Sequence, residues 1–299
     1  MQKILVTGHN SFVGHHLLPF LYAQGHHVFG IGRPAKLSND LTHLNSLERE
    51  KLGDLSDESF YLNLKWKPDI IINLAASTGR AITTLEDMKL SNIKAVKNLL
   101  NFATKSDCHT LIHFSTISIH GNVPEQVVSH TTGMYSSDFY GETKLESELI
   151  LQNSPSDLGI YSLRLPAILA KGAVNHWPSR ILEDLLRNNN VLVDNPESKF
   201  NNVVYVEDIF RLVSNLIKTA TPGFSAFPIA SRTPLSIKEI VDEIHKITNS
   251  KSIIEYRYKS RPTFVVDDTY ARTKHNYKSM STIDAVSKYV RECCNDYTS

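Results

Sequence analysis

Three polar residues could carry out proton chemistry together. Tyr140 and Lys144, in the stretch "YGETK", stand four residues apart and so share one face of a helix, with side chains able to converge. A tyrosine near its ordinary pKa of about 10 is a poor base at neutral pH, and an ammonium group beside it favours the phenolate. Lys144 can supply that ammonium. Thr116, in "FSTISIHG", falls at the end of a predicted strand, where its hydroxyl can hydrogen-bond to a substrate oxygen beside the tyrosine. Tyrosine and lysine at this spacing also occur on helices that do no chemistry, so the pair gains meaning only through Thr116 and the elements that deliver all three.

A second constellation lies at the start of the chain. "KILVTGHNSFVG" reads as a strand running into a glycine-punctuated turn and then a helix, the context a phosphate-binding loop requires. Gly8 permits a tight turn, Gly14 a close approach of helix to strand, and the helix N-terminus offers free N–H groups and a positive dipole end to a pyrophosphate. Ser11 stands where a further glycine would be expected. Its hydroxyl must either turn aside or bond to the ligand, and a plain strand-to-helix turn is the alternative for the whole loop. At the end of the second predicted strand, "FGIGR" presents Arg33 where a carboxylate would suit the ribose of NAD. A guanidinium can clamp a 2′-phosphate in bidentate fashion, which favours NADP(H) over a possible NAD(H), with Lys36 in support; a solvated loop arginine is the alternative. "LGDLSD" places Asp54 after the third strand, within reach of an adenine amino group.

The elements that must position these residues form a regular series. "KILVTG", "HHVFGIGR", "DIIINLAAS", "TLIHFSTIS" and "YSLRLPAIL" are apolar on consecutive positions, as strands buried on both faces are, and longer amphipathic segments separate them. The pattern predicts an α/β fold with a doubly wound parallel sheet. Pro19 is expected to kink the first helix or force an early irregularity in it. After about residue 170 the rhythm changes, with helices predicted near "PSRILEDLLRNN", "DIFRLVSNLIKTA" and "SIKEIVDEIHKIT" and a strand near "FNNVVYVED". This divides the chain into a dinucleotide-binding domain over 1–169 and a smaller α+β substrate-binding domain over 170–299, with part of 200–232 returning to the first sheet.

Composition narrows the partners. The 299 residues, 41% hydrophobic, suffice for a sizeable core, and 32 basic against 31 acidic residues give a net charge of +1 without long runs of one sign. Neither nucleic acid nor an anionic membrane is therefore an expected partner. No apolar signal core or spanning segment is visible, and Cys108, Cys293 and Cys294 do not form a disulfide framework, so a cytoplasmic location is expected. The pairs His15/His16 and His26/His27 lack the converging spacing of metal ligands, and no metal is expected.

The ordered series "VTGHNSFVG", "GDLSD", "PDIIINLAAS", "NIKAVKNLL", "FSTISIHG", "YGETK", "LRLPAIL" and "VVYVEDI" resembles the extended short-chain dehydrogenase/reductase family, the nucleotide-sugar epimerases, dehydratases and reductases, over nearly the whole chain. The resemblance implies a Rossmann-type fold with Thr116, Tyr140 and Lys144 as the catalytic set. It places Gly8, Asn10, Ser11, Phe12, Val13 and Gly14 at the pyrophosphate, Asp54 and Leu55 at the adenine, Leu74, Ala75 and Ala76 along the cofactor, and Pro166 near the nicotinamide. Asn92 would brace the site or merely bond to backbone. Substrate contacts implied in the same way are Thr78, Thr116, Ser118, Asn175, Trp177 and Arg261, although Trp177 reads equally well as core and Phe264 stands where an acidic ribose contact is often found. His120, in place of the usual tyrosine, either touches substrate or is packed.

Members that dehydrate a hexose place an Asp-Glu pair directly after the threonine, and here those positions are Ile117 and Ser118. Neither can do that proton transfer, which disfavours dehydration and decarboxylation. The expected activity is NADPH-dependent reduction of a nucleotide-linked 4-keto-6-deoxy sugar, with Tyr140 supplying the proton. A 4-epimerase with retained cofactor uses the same residues and is the alternative, as is a non-catalytic NADP-binding sensor. The resemblance also implies a homodimer.

Overall fold

A computed structural model of the chain describes residues 1–34, 50–78, 84–154, 157–259 and 263–297. Lys36 and Arg261, both singled out above, lie outside the described residues. The apolar runs become β1 (Lys3–Thr7), β2 (His27–Gly32), β3 (Glu50–Leu52), β4 (Ile70–Asn73) and β5 (Thr110–Thr116). Together with strands Gly159–Leu165 and Gly223–Pro228 they form a seven-stranded sheet in the order Gly223–Pro228, Gly159–Leu165, β5, β4, β1, β2, β3. The pairs β3–β2, β2–β1, β1–β4 and β4–β5 are parallel. Chain order runs outward in one direction from β1 to β3 and in the other from β4 to the edge, so the carboxyl ends of β1 and β4 flank the crevice where ligands bind in such sheets.

Burial on both faces explains the unbroken apolar runs. Ile4, Leu5, Val6, Ile70, Ile71 and Ile72 are wholly buried. The helices that cover them are α1 (Phe12–Ala23), α2 (Glu58–Leu62), α3 (Leu85–Lys89), α4 (Ala95–Lys105) and α5 (Phe139–Gln152), with a π-helical turn, Leu90–Lys94, joining α3 to α4. α4 buries Val96, Leu99, Leu100 and Ala103 in one cluster with Leu5, Ile31, Ile71 and Leu111 of the sheet. Each of the valine, leucine and isoleucine side chains contributes about 1.5–3 kcal/mol on leaving water. α1 continues across Pro19. Pro19 is exposed, so the carbonyl it deprives of a donor lies on the outer side of the helix, where water can serve it.

The chain divides into two units: Met1–Gly121, Met134–Arg164 and Val213–Phe227 in one, and Asn122–Gly133, Leu165–Leu212 and Pro228–Ser299 in the other. The second is built of short strand pairs, Ala167–Leu169 with Val203–Tyr205 and Val191–Asp194 with Ile254–Arg257 among them, and helices Trp177–Leu186, Ile237–Thr248 and Thr282–Tyr297. Near "FNNVVYVED" the chain forms the strand Val203–Tyr205, with Lys199–Phe200 a separate short strand before it, and a helix begins at Val206. Glu207 and Asp208 occupy its first turn, where carboxylates suit the free N–H groups, and Asp208 also accepts the Met280 N–H at 2.8 Å. Among the described residues no helix is long and apolar enough to cross a membrane.

Candidate active site

The glycine loop follows β1 directly. Gly8 turns at φ +63°, and a Cβ there would lie 2.9 Å from the backbone N of Ala75, so the position demands glycine for both conformation and space. A Cβ on Gly14 would lie 2.1 Å from the His9 carbonyl oxygen, which is how closely α1 is seated on the loop. Ser11 solves its problem by capping α1: it is extended, and its Oγ accepts the Gly14 N–H at 3.2 Å. The hydroxyl proton is left to donate outward.

The rest of the loop is tied to the end of β2. Asn10 Nδ2 donates to the Arg33 carbonyl at 2.7 Å. The buried His9 ring packs against Gly30, where a Cβ would lie 2.5 Å from its Cγ, and its Nε2 is 2.7 Å from Glu50 Oε2. Gly8, Asn10, Ser11, Arg33, Asp54, Leu55, Leu74, Ala75 and Ala76 line one cleft, joined by Ser91 of the π-turn. Arg33 donates from its guanidinium to Ser91 Oγ at 3.0 Å, which holds it over the cleft rim. A loop that only glycines can close, capping N–H groups and a cation at the rim fit a dinucleotide.

The residues expected to carry the proton chemistry lie at the carboxyl end of β5 and in the first two turns of α5. Thr116, almost fully buried, caps the following turn Ile117–His120: its Oγ1 accepts the Ser118 N–H at 3.1 Å and donates to Ser118 Oγ at 3.2 Å. α5 closes onto that turn because Gly141 has no side chain, since a Cβ there would lie 2.7 Å from the Ser118 carbonyl oxygen. Asp138 caps α5 by accepting the Gly141 N–H at 2.7 Å, which sets the half-buried Tyr140 in the first turn. Asn92 then locks the helix to the cleft wall. It pairs with the Ser77 backbone through Oδ1 at 2.7 Å and Nδ2 at 2.9 Å, and also donates to Thr143 Oγ1 at 2.9 Å, while Thr143 donates to the Tyr140 carbonyl at 3.0 Å.

The model of the NAD dependent epimerase/dehydratase family matches residues 4–227. The chain belongs to this family. It is thus a nicotinamide-dependent enzyme of the extended short-chain dehydrogenase/reductase type. Protein CapI of Staphylococcus aureus is 25% identical over an alignment of 337 residues covering 97% of each chain. CDP-abequose synthase of Salmonella muenchen is 24% identical over 263 residues, covering 85% of this chain and 84% of that one. The solved structure of Bordetella bronchiseptica WbmG in complex with NAD and UDP has the same fold, with a TM-score of 0.86, 17% identity and coverage of 99% of this chain and 96% of that one.

Lys144 of α5 is fully buried, where Nζ donates to the Phe114 carbonyl at 2.7 Å and lies 3.0 Å from His113 Nε2. Burial pulls its pKa down to about 7, against a smaller upward pull from Glu148. Because the folded value lies below the unfolded one near 10.5, the unfolded enzyme binds more protons between these limits, and stability should rise with pH through that window. Below about 7 both states are protonated and the group contributes no further slope. Urea midpoints measured across the window should climb less steeply in Lys144→Leu; parallel profiles would show that Lys144 is not the titrating group.

Other expected site residues are distributed as follows. Pro166, Asn175 and Trp177 belong to the second unit. Asn175 is exposed at φ +65°, and the half-buried Trp177 ring is 5.1 Å from that of Phe200. Phe12 and Val13 lie in the first turn of α1, Thr78 is exposed, and His120 is fully buried. Sequence reasoning passed over His9, Thr7, Asn73, Ser91 and His113. The available signal was a polar residue inside an apolar run, as Asn73 is in "IIIN" and His113 in "TLIHFST".

Proposed function

We propose that the enzyme reduces the ketone of a nucleotide-linked 4-keto-6-deoxy sugar with NADPH. The observation that carries this reading is Arg33, held at the rim of the cleft by Ser91, where a guanidinium suits a 2′-phosphate. The absence of a carboxylate pair after Thr116 supports reduction over dehydration, since Ile117 and Ser118 occupy those positions. A nucleotide sugar is supported by the relatives, one named as a CDP-abequose synthase and one solved with UDP.

Gly8, Gly14 and the α1 N-terminus would hold the pyrophosphate, Asp54 and Leu55 the adenine, and Leu74 to Ala76 the wall beside it. The bound cofactor supplies the hydride. Tyr140 donates a proton to the carbonyl oxygen, and the linked hydroxyls of Thr116 and Ser118 orient that oxygen by hydrogen bonding. Asn92 and Thr143 keep Tyr140 at a fixed height on the site wall, so that proton delivery needs no rearrangement of α5.

Loss of NADPH absorbance with a panel of UDP-, dTDP-, GDP- and CDP-linked 4-keto-6-deoxy sugars tests the reading. Oxidation with one of them establishes the reductase and names its nucleotide. No oxidation, together with NAD released from the denatured protein, would instead identify the epimerase. Arg33→Ala should weaken NADPH about 10- to 100-fold, as expected for loss of a charge-assisted hydrogen bond of 1.5–3 kcal/mol, and leave NADH almost unaffected. Fluorescence titration of both dinucleotides checks this, and equal weakening of the two would remove Arg33 as the reader of the phosphate.

A further inference from the structure

The π-helical turn Leu90–Lys94 gives two neighbouring side chains different tasks. Asn92 is buried and bonds to Ser77 and Thr143, whereas Ser91 faces the cofactor cleft together with Ala95, the first residue of α4. Further along α4, Asn98 donates from Nδ2 to the Leu55 carbonyl at 3.3 Å. Ser91, Ala95 and Asn98 thus form one stripe, and its two polar ends hold Arg33 and Leu55, both of which line the cleft. Single π-turns of this kind are rare and are frequent at functional sites.

Arg33 is exposed, yet both its backbone and its side chain are tied down. Its carbonyl accepts the Asn10 amide N–H at 2.7 Å, and its guanidinium donates to Ser91 Oγ at 3.0 Å. That partner is neutral. The Asp87 carboxyl, close enough to feel the guanidinium, is held below its usual pKa range chiefly by hydrogen bonds from Thr84, with a smaller contribution from the charge of Arg33. It is engaged in the capping box of α3, where Oδ2 accepts the Thr84 N–H at 3.0 Å and the Thr84 hydroxyl at 2.8 Å. Among the described residues Arg33 therefore forms no ion pair, and Ser91 takes only one of the five N–H donors a guanidinium carries.

A hydroxyl that accepts a hydrogen bond still has a proton to give. Ser91 Oγ takes the Arg33 N–H, so its own O–H is directed to another acceptor beside the same guanidinium. A phosphate oxygen at that point receives charge-assisted bonds from both residues. An adenosine with a free 2′-hydroxyl offers Ser91 only a neutral partner, which is worth less.

We propose that Ser91 is a second specificity-determining residue for the cofactor, donating its hydroxyl proton to the 2′-phosphate that Arg33 binds. This role rests on the reading of Arg33 as the partner of that phosphate. Discrimination between NADPH and NADH then depends on the π-turn as well as on the end of β2.

Fluorescence titrations of NADPH and NADH, with calorimetry of adenosine 2′,5′-bisphosphate and 5′-AMP, test the proposal on the full chain without any sugar. Ser91→Ala should weaken NADPH and the bisphosphate about 10-fold and leave NADH and 5′-AMP within about twofold. Unchanged binding of all four overturns the proposal, as does equal weakening, which loss of a merely structural contact would give. Ser91→Asp supplies a test of sign. A carboxylate keeps the bond from Arg33 but repels the phosphate, so NADPH should weaken about 100-fold or more while NADH holds. NADPH affinity equal to that of the parent overturns the proposal. Adding Ser91→Ala to Arg33→Ala separates direct contact from action through the arginine. Direct donation predicts a further loss of NADPH affinity of about threefold or more, and no further loss overturns it. If Arg33→Ala alone weakens both dinucleotides alike, the reading of Arg33 fails and Ser91→Ala still decides this one: selective loss of NADPH upholds the contact of the hydroxyl with the phosphate, and unselective loss removes it.

Discussion

Tyr140→Phe is expected to lower kcat by about 10²- to 10⁴-fold, the range that a positioned general acid contributes. The dinucleotide Kd should stay within about twofold, because the variant keeps the aromatic ring and removes one oxygen. The surroundings support so clean a separation. Tyr140 lies in the first turn of a helix whose entry is fixed by the Asp138 cap and the Gly141 approach, and its carbonyl is held by Thr143. None of these contacts uses the phenol oxygen. Turnover with the preferred sugar nucleotide and a fluorescence titration of NADPH measure the two quantities. Activity within tenfold of the parent would place the proton donor elsewhere, and Ser118, linked to Thr116, would be the next residue to replace.

Gly14→Ala should be the most damaging small substitution in the cofactor site. The added carbon would lie 2.1 Å from the His9 carbonyl oxygen and 2.8 Å from that of Gly8, and both are backbone atoms that cannot swing away. α1 must therefore lift off the loop, at a cost of about 3 kcal/mol or more, the upper end of the overpacking range. The same displacement moves the helix N-terminus from where the proposed cofactor's phosphate would sit, so dinucleotide binding should fall together with the melting temperature. Gly25→Ala is the matching control. Gly25 also has a positive φ, +77°, but nothing lies within 4 Å of its added carbon. It should cost about 1–2 kcal/mol of backbone strain and leave binding intact. Equal behaviour of the two variants would show that conformation, not close approach, governs the loop.

The parallel sheet was legible because its strands are apolar at consecutive positions, a pattern that burial on both faces imposes locally. Gly8 and Gly14 were legible for a similar reason, since the strand, turn and helix around them are contiguous in the chain. Thr7, Asn73 and His113 were not. They are separated by 66 and 40 positions, and only strand register makes neighbours of them. The partners of Lys144 were hidden likewise: helical spacing puts it on the face of Tyr140, but only the fold brings His113 and the Phe114 carbonyl to its Nζ. That α1 runs on through Pro19 was not legible either, because it depends on which side of the helix faces water, and periodicity around an exposed position in a short helix does not show that.

The packing of His9 against Gly30 also constrains the order in which this sequence can change. While the imidazole is present, any side chain at position 30 would begin 2.5 Å from its ring, so that position is closed to every other residue. Position 9 is not closed in return, because a smaller residue there leaves only a gap. Descent through viable intermediates therefore passes through loss of the histidine before any gain at the strand, and a lineage that keeps the ring inherits the glycine with it.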